Sequence, residues 1–150
     1  MDKSNLLDEL RLEIGLVREQ AQTLSSFYIG ITRKFAKFID NSWTSVAIYE
    51  TTDDAFIMKV CVGPSYIERK VPFGEGILSS VAIQGKLIVQ EDDILQKVFL
   101  PFYKNHHLLG VVVGHVPKEI YQITEDDLVF IKEVGRFIEV QHETFFPTIF

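Results

Sequence analysis

Cys61 is the only thiol in this 150-residue chain, and four imidazoles accompany it: His106, His107, His115 and His142. A single cysteine rules out an internal disulfide and a four-cysteine iron–sulfur or zinc site within one chain. It also leaves thiol–disulfide chemistry without a resolving partner. Cys61 falls inside a strand-like run, where a lone thiol behaves as a small hydrophobe. Ser79 and Ser80 have neither a Gly-x-Ser-x-Gly context nor a histidine close in sequence, so no nucleophile and base pair is set up. Haem would need an axial ligand; His106 and His107 sit at a predicted turn and read as solvated, His142 is an ordinary helical residue, and His115 can face core or solvent. The acidic run Glu91-Asp92-Asp93 lacks the oxygen spacing of a calcium loop and reads as a solvated turn. From these residues the chain is expected not to be an enzyme and to hold neither metal nor cofactor.

The remaining chemistry belongs to the backbone. In Val71-Pro72-Phe73-Gly74-Glu75-Gly76-Ile77-Leu78-Ser79-Ser80-Val81-Ala82 a strand-like piece meets two glycines and then a helical run. Gly74 and Gly76 permit backbone angles and close approaches that a Cβ forbids. A helix start carries free N–H donors and a partial positive charge, so an anion or a polarised group can sit there. A tight turn opening a buried helix explains the same residues. Both readings stand on this fragment.

The elements that must position these groups follow from periodicity. Leu7, Leu10, Ile14, Val17, Ala21, Leu24, Tyr28, Ile31, Phe35 and Phe38 keep a 3-4 spacing, which predicts one long helix or two in succession to about residue 40. The early seam is aliphatic and the later one aromatic. The favoured reading is that the first half joins a second subunit while the second half covers the core. Residues 43–50 and 55–63 alternate around a Thr51-Thr52-Asp53-Asp54 turn and predict a β-hairpin. Residues 70–73 read as a short extended piece, 77–84 as a helix ended by Gly85, and 87–90 as a strand. A second hairpin is expected from 98–103 and 108–115, and Thr124-Glu125-Asp126-Asp127 is a capping-box pattern opening the last helix. This is an α+β arrangement with an antiparallel sheet, read as one domain over 1–150 with a helical segment at 1–40. The net charge of −6 argues against nucleic acid as a partner. Residues 1–40 are balanced, so the acidity lies in 41–150, and any anion bound there must be held by local dipoles. No apolar run approaches ~20 residues and no leader opens the chain, so a soluble, cytoplasmic protein is expected.

Taken in order, Trp43 to Glu50 as first strand, Val71-Pro72-Phe73-Gly74-Glu75-Gly76-Ile77 before a short helix, Gly85-Lys86-Leu87-Ile88-Val89, Leu109-Gly110-Val111-Val112-Val113 and Thr124-Glu125-Asp126-Asp127-Leu128 resemble a GAF domain over about residues 20–142. The resemblance implies a six-stranded antiparallel sheet, helices from both ends of the chain on one face and a small-ligand pocket on the other. Free methionine sulfoxide reductases share this architecture and use several cysteines. Here Ile67 stands where a loop thiol would be expected, so that activity is disfavoured. The chain is similar to the small nitrate receptors that modulate oxygen-sensing histidine kinases. This implies a sensor binding nitrate, or another small anion, mainly through backbone amides, with Trp43 as one wall and Tyr66, Ile67, Val71, Asp93, Ile94 and Leu95 as further lining. The donors expected are the amides of Ile77 and Leu78, or those of a one-turn helix near Ile94 and Leu95; an inward Asp93 would repel the anion. A sensor histidine kinase or other signalling protein is the partner implied. Homodimerisation through the N-terminal helix, as a ligand-free adaptor module, is the alternative.

Overall fold

A computed structural model of the chain describes residues 2–146. Its elements, in order, are α1 (Lys3–Gln20), α2 (Leu24–Phe38), β1 (Ser45–Thr51), β2 (Ala55–Val62), β3 (Lys70–Pro72), α3 (Gly76–Gln84), β4 (Ile88–Glu91), β5 (Leu95–Lys104), β6 (His107–Pro117) and α4 (Glu125–Phe145). The N-terminal periodicity resolves into two helices because Thr23 starts a new one. Its hydroxyl accepts from the Ser26 amide at 3.0 Å, and the Ser26 hydroxyl accepts from the Thr23 amide at 3.1 Å. In α4 the Asp127 carboxylate likewise accepts from the Thr124 amide at 2.8 Å, and Lys3 on α1 reaches the same oxygen at 2.8 Å.

All six strands form one antiparallel sheet in the order β3-β2-β1-β6-β5-β4. The long β5–β6 hairpin closes through Asn105 and His106, both at positive φ, as a two-residue hairpin turn of the right hand requires. Strand alternation then sorts side chains onto two faces. Ile48, Leu100, Phe102 and Val112 face α1, α2 and α4, while Ala47, Tyr49, Phe56, Phe99, Val111 and Val113 face α3 and the loops. Helices from both ends of the chain thus share one face, and the opposite face carries α3.

Two expectations need correction. Leu7, Leu10, Ile14 and Val17 are buried in the chain's own helical core, so the early seam does not join a second subunit; α1 packs on α2 and α4 because Phe27, Ile31, Phe130, Val134 and Ile138 complete its stripe. The large apolar residues of α1 left in solvent are Leu12 and Leu16, on the other side of the helix. Second, no one-turn helix forms at residues 94–95. Asp92 makes an Asx turn, its carboxylate accepting from the amides of Ile94 and Leu95 at 2.8 and 2.7 Å, and β5 begins directly at Leu95.

Candidate functional site

The 71–82 segment is a turn that opens a core helix. Gly74 and Gly76 take φ of +90° and +67°, angles that favour glycine, and the Gly74 amide donates to the Ser79 hydroxyl at 3.0 Å. Phe73 stacks edge-on to Phe56 at 5.0 Å and pins the turn. Beyond it Leu78 and Val81 are fully buried against Val71 and the sheet.

The polar chemistry of this face gathers elsewhere, under a strap formed by residues 63–69. Gly63 has φ +97°, and a Cβ there would run into the Thr44 carbonyl oxygen, so the strap leaves β2 hard against the start of β1. It is held down by two tyrosines. The Tyr49 hydroxyl rises from the sheet and donates to the carbonyls of Ile67 and Glu68 at 3.2 and 2.8 Å; Tyr66, on the strap, donates to the carbonyl of Trp43 at 2.7 Å. Both hydroxyls therefore have a backbone acceptor within the fold, that of Tyr49 part-buried and that of Tyr66 at the surface. Burial of Tyr49, with Cys61 nearby and Arg69 opposing, pushes its pKa up to about 12.

Beneath the strap lies a niche of about 10 Å³, room for roughly one water. Ser45, Cys61, Ser65, Tyr66 and His115 contribute its polar atoms, and Ala47, Met58, Ile67 and Val113 its apolar walls. Register places His115 on β6 directly between Ser45 of β1 and Lys97 of β5. The Cys61 sulfur is 3.7 Å from the Ser45 hydroxyl. His115 is 4% exposed; its ring stacks on Tyr66 at 4.5 Å and meets Phe99 edge-on, and it makes no hydrogen bond among the described residues. Burial drives its pKa down to about 4, with Lys97 pushing the same way and Asp92 opposing. The imidazole is therefore neutral at neutral pH.

A second, open depression of about 770 Å³ adjoins the outer side of the strap. Trp43, Tyr66, Asp93, Ile94, Leu95 and Ile120 line it, together with Asp92 and Glu119. Trp43 precedes β1 rather than lying on it and is 62% exposed. The structure thus brings Trp43, Tyr66, Asp93, Ile94 and Leu95 together in this groove and Tyr66 with Ile67 at the niche, and leaves Val71 of β3 and Leu78 of α3 in the packed core with Ile77 partly buried against it. The Ile94 and Leu95 amides are occupied by Asp92. His115, Ser45 and Cys61 were not among the residues singled out for the site. Their shared face follows from the alternation Val111, Val113, His115 read in register with Ser45, Ala47, Tyr49, information that one strand alone does not contain. Among the described residues no three His, Cys, Asp or Glu side chains converge as metal ligands, and no helix is long and apolar enough to cross a membrane.

This architecture is the GAF fold. No family model and no curated protein sequence matches the chain; the likeness is structural. Free methionine-R-sulfoxide reductase from Neisseria meningitidis, determined with its substrate, superimposes with a TM-score of 0.83 at 18% identity, covering 97% of this chain and 93% of that one. The GAF domain of a phosphoenolpyruvate-protein phosphotransferase from Coxiella burnetii gives 0.78 at 14% identity, covering 95% and 97%. The corresponding domain from Acinetobacter gives 0.76 at 14% identity, covering 96% and 97%. The expectation that the chain is not an enzyme is corrected by these matches. Free methionine-R-sulfoxide reductases are prominent among the proteins that share the fold, so this fold hosts catalysis, and a lone Cys61 is no ground for setting an enzyme aside.

Proposed function

We propose that the chain is a GAF-type sensor of a small anion, bound beneath the 63–69 strap against His115, and that occupancy is relayed to a signalling protein. The observation that carries this reading is the buried imidazole of His115, stacked under Tyr66 without a hydrogen bond and flanked by the Ser45 hydroxyl and Lys97. Among the described residues the fully buried polar side-chain atoms without a partner are Thr44 Oγ1 and His142 Nδ1; the His115 imidazole is not one of them, so a ligand in the niche has access to it and can supply a hydrogen bond that the fold does not. An anion arriving beside it draws a proton onto the imidazole and gains a charge-assisted hydrogen bond in a poorly screened site. Nitrate is the first candidate, since the receptors the sequence resembles bind it. It must enter at His115 rather than at residues 94–95, where the Asp92 carboxylate already holds the amides. Because the niche has room for about one water, the strap has to lift against the two tyrosine hydroxyls, the Cys61 sulfur at 3.6 and 3.9 Å from the Gly63 and Pro64 carbonyls, the Tyr66 stack on His115 and the Met58 to Arg69 backbone bond. A sensor histidine kinase is the class of partner this reading favours.

Calorimetric titration with nitrate, nitrite, chloride, cyclic nucleotides and methionine sulfoxide tests it. Nitrate or nitrite is expected to bind with proton uptake. Affinity then falls about tenfold per pH unit between the pKa of the free imidazole, about 4, and the higher pKa of the liganded one, and is flat above it, and His115→Ala abolishes binding. Absence of heat with every anion, or nitrate binding indifferent to pH and to His115→Ala, would overturn the assignment. Leu12 and Leu16, exposed at 72% and 52% on one side of α1, favour a second reading as a ligand-free dimerisation module. A concentration-dependent dimer that Leu12→Ser disrupts, with no ligand heat, would select it.

A further inference from the structure

We infer that the open groove beside the strap is a docking site for a basic, leucine-rich segment of a partner protein. Its floor and walls are apolar and unusually bare: Trp43, Ile94 and Ile120 are 62%, 70% and 53% exposed, and Tyr66 forms the side nearest the strap. Scattered apolar residues at a surface need no explanation, whereas a contiguous set lining one depression marks a contact. Charge decides what covers it. Asp92 is matched by Lys97 at 3.3 Å and Glu91 by Lys118 at 3.6 Å, which leaves Asp93 and Glu119 without an ion pair at the groove. Exposed indole and phenol rings beside two unmatched carboxylates suit guanidinium or ammonium groups, through ring faces and ion pairs together. The shape points to a chain segment rather than a small molecule. A depression of about 770 Å³ this open cannot enclose most of a small ligand, while a peptide can lay alternate aliphatic side chains along Ile94 and Ile120. A second copy of this chain is a poor occupant, because a two-fold contact would set Asp93 and Glu119 against their own images.

Trp43 is the only tryptophan in the chain, so its emission reports on this groove directly. The probes are a capped hexapeptide alternating arginine and leucine and the same peptide with glutamate in place of arginine, titrated into the 150-residue chain without added nitrate or nitrite. The arginine peptide is expected to give a saturable change in emission that weakens as salt rises, and the glutamate peptide none. The double variant Asp93→Lys, Glu119→Lys, both at exposed positions, should weaken the arginine peptide at least about tenfold with its circular dichroism unchanged. Equal response to both peptides, or unchanged affinity in the double variant, would overturn the inference. So would self-association through this face, read by sedimentation and abolished by Trp43→Ala. The outcome is distinguishable from the anion reading at His115, since no nitrate or nitrite is added and the arginine and glutamate peptides are compared at the same salt.

Discussion

A histidine held neutral inside a fold makes stability depend on pH, and the sign is fixed by the direction of its shift. His115 has its pKa lowered to about 4 from an ordinary value near 6.5. Between those values the unfolded chain takes up a proton that the folded chain refuses. Stability is therefore fully present above about pH 6.5, falls as the pH drops toward 4, and is flat below, a loss on the order of 3 kcal/mol at most. Asp92, accepting from Leu95 and Ile94 and beside Lys97, has its pKa lowered to about 2, so its share is lost only lower, as pH falls through the carboxylate range. Urea unfolding followed by circular dichroism from pH 7.5 to 4 should thus show a slope that His115→Phe reduces, the remainder including His142, whose pKa burial also lowers; a variant with the wild-type slope would show that the His115 imidazole is not buried neutral. Tyr49 offers a second handle at this scale. Tyr49→Phe deletes the donor to the Ile67 and Glu68 carbonyls and is expected to cost about 1 kcal/mol, with faster amide exchange confined to residues 63–69. Unchanged exchange there would mean the hydroxyl does not hold the strap. Neither role is legible in the residue types. A tyrosine in a strand and one in a loop both admit a solvated hydroxyl, and only the crossing of strap over sheet gives each an internal acceptor.

Elements were far more legible than their partners. The 3.6-residue periodicity, the alternation around Thr51-Thr52-Asp53-Asp54 and the capping residues locate nearly every helix and strand, because each is a local pattern. What periodicity lacks is the identity of the surface that covers a stripe. The seam Leu7, Leu10, Ile14, Val17 satisfies a heptad rule whether it meets a second subunit or α2 and α4, and in the fold it meets the latter. The two arrangements differ in a measurable way. Leu10→Ala opens a cavity in the chain's own core and should lower stability by about 2–5 kcal/mol at any protein concentration. Leu12→Ser, on the opposite side, should change it by no more than about 0.5 kcal/mol. Chemical denaturation at two protein concentrations checks both, and a Leu10→Ala cost that vanishes on dilution would place the seam between subunits after all. The Asx turn at residue 92 is a similar case. An acidic tripeptide reads as solvated, yet one of its carboxylates serves as the internal acceptor for the amides that were expected to receive a ligand.

At the scale of the whole molecule, niche and groove are two sides of one wall. Tyr66 stacks on His115 at 4.5 Å in the niche and through its hydroxyl grips the Trp43 carbonyl at 2.7 Å beside the groove. A ligand that needs more room than about 10 Å³ lifts the strap, and the Tyr66 to Trp43 link has to break or move with it. Anion binding should then alter the emission of Trp43, although Trp43 does not line the niche. Linkage makes the effect reciprocal: whatever factor nitrate imposes on the affinity for a basic peptide, the peptide must impose on nitrate. Tyr66→Phe keeps the ring that stacks on His115 and removes the hydroxyl that holds Trp43. It is expected to leave both individual affinities within about threefold while bringing the coupling factor toward one. The measurement is a pair of fluorescence titrations of peptide, with and without saturating nitrate, on the wild-type chain and on Tyr66→Phe. A peptide affinity indifferent to nitrate in the wild-type chain would mean that the two sides of the wall move independently, and a coupling that survives Tyr66→Phe would route it through the 63–69 backbone and the β1 entry at Thr44 instead.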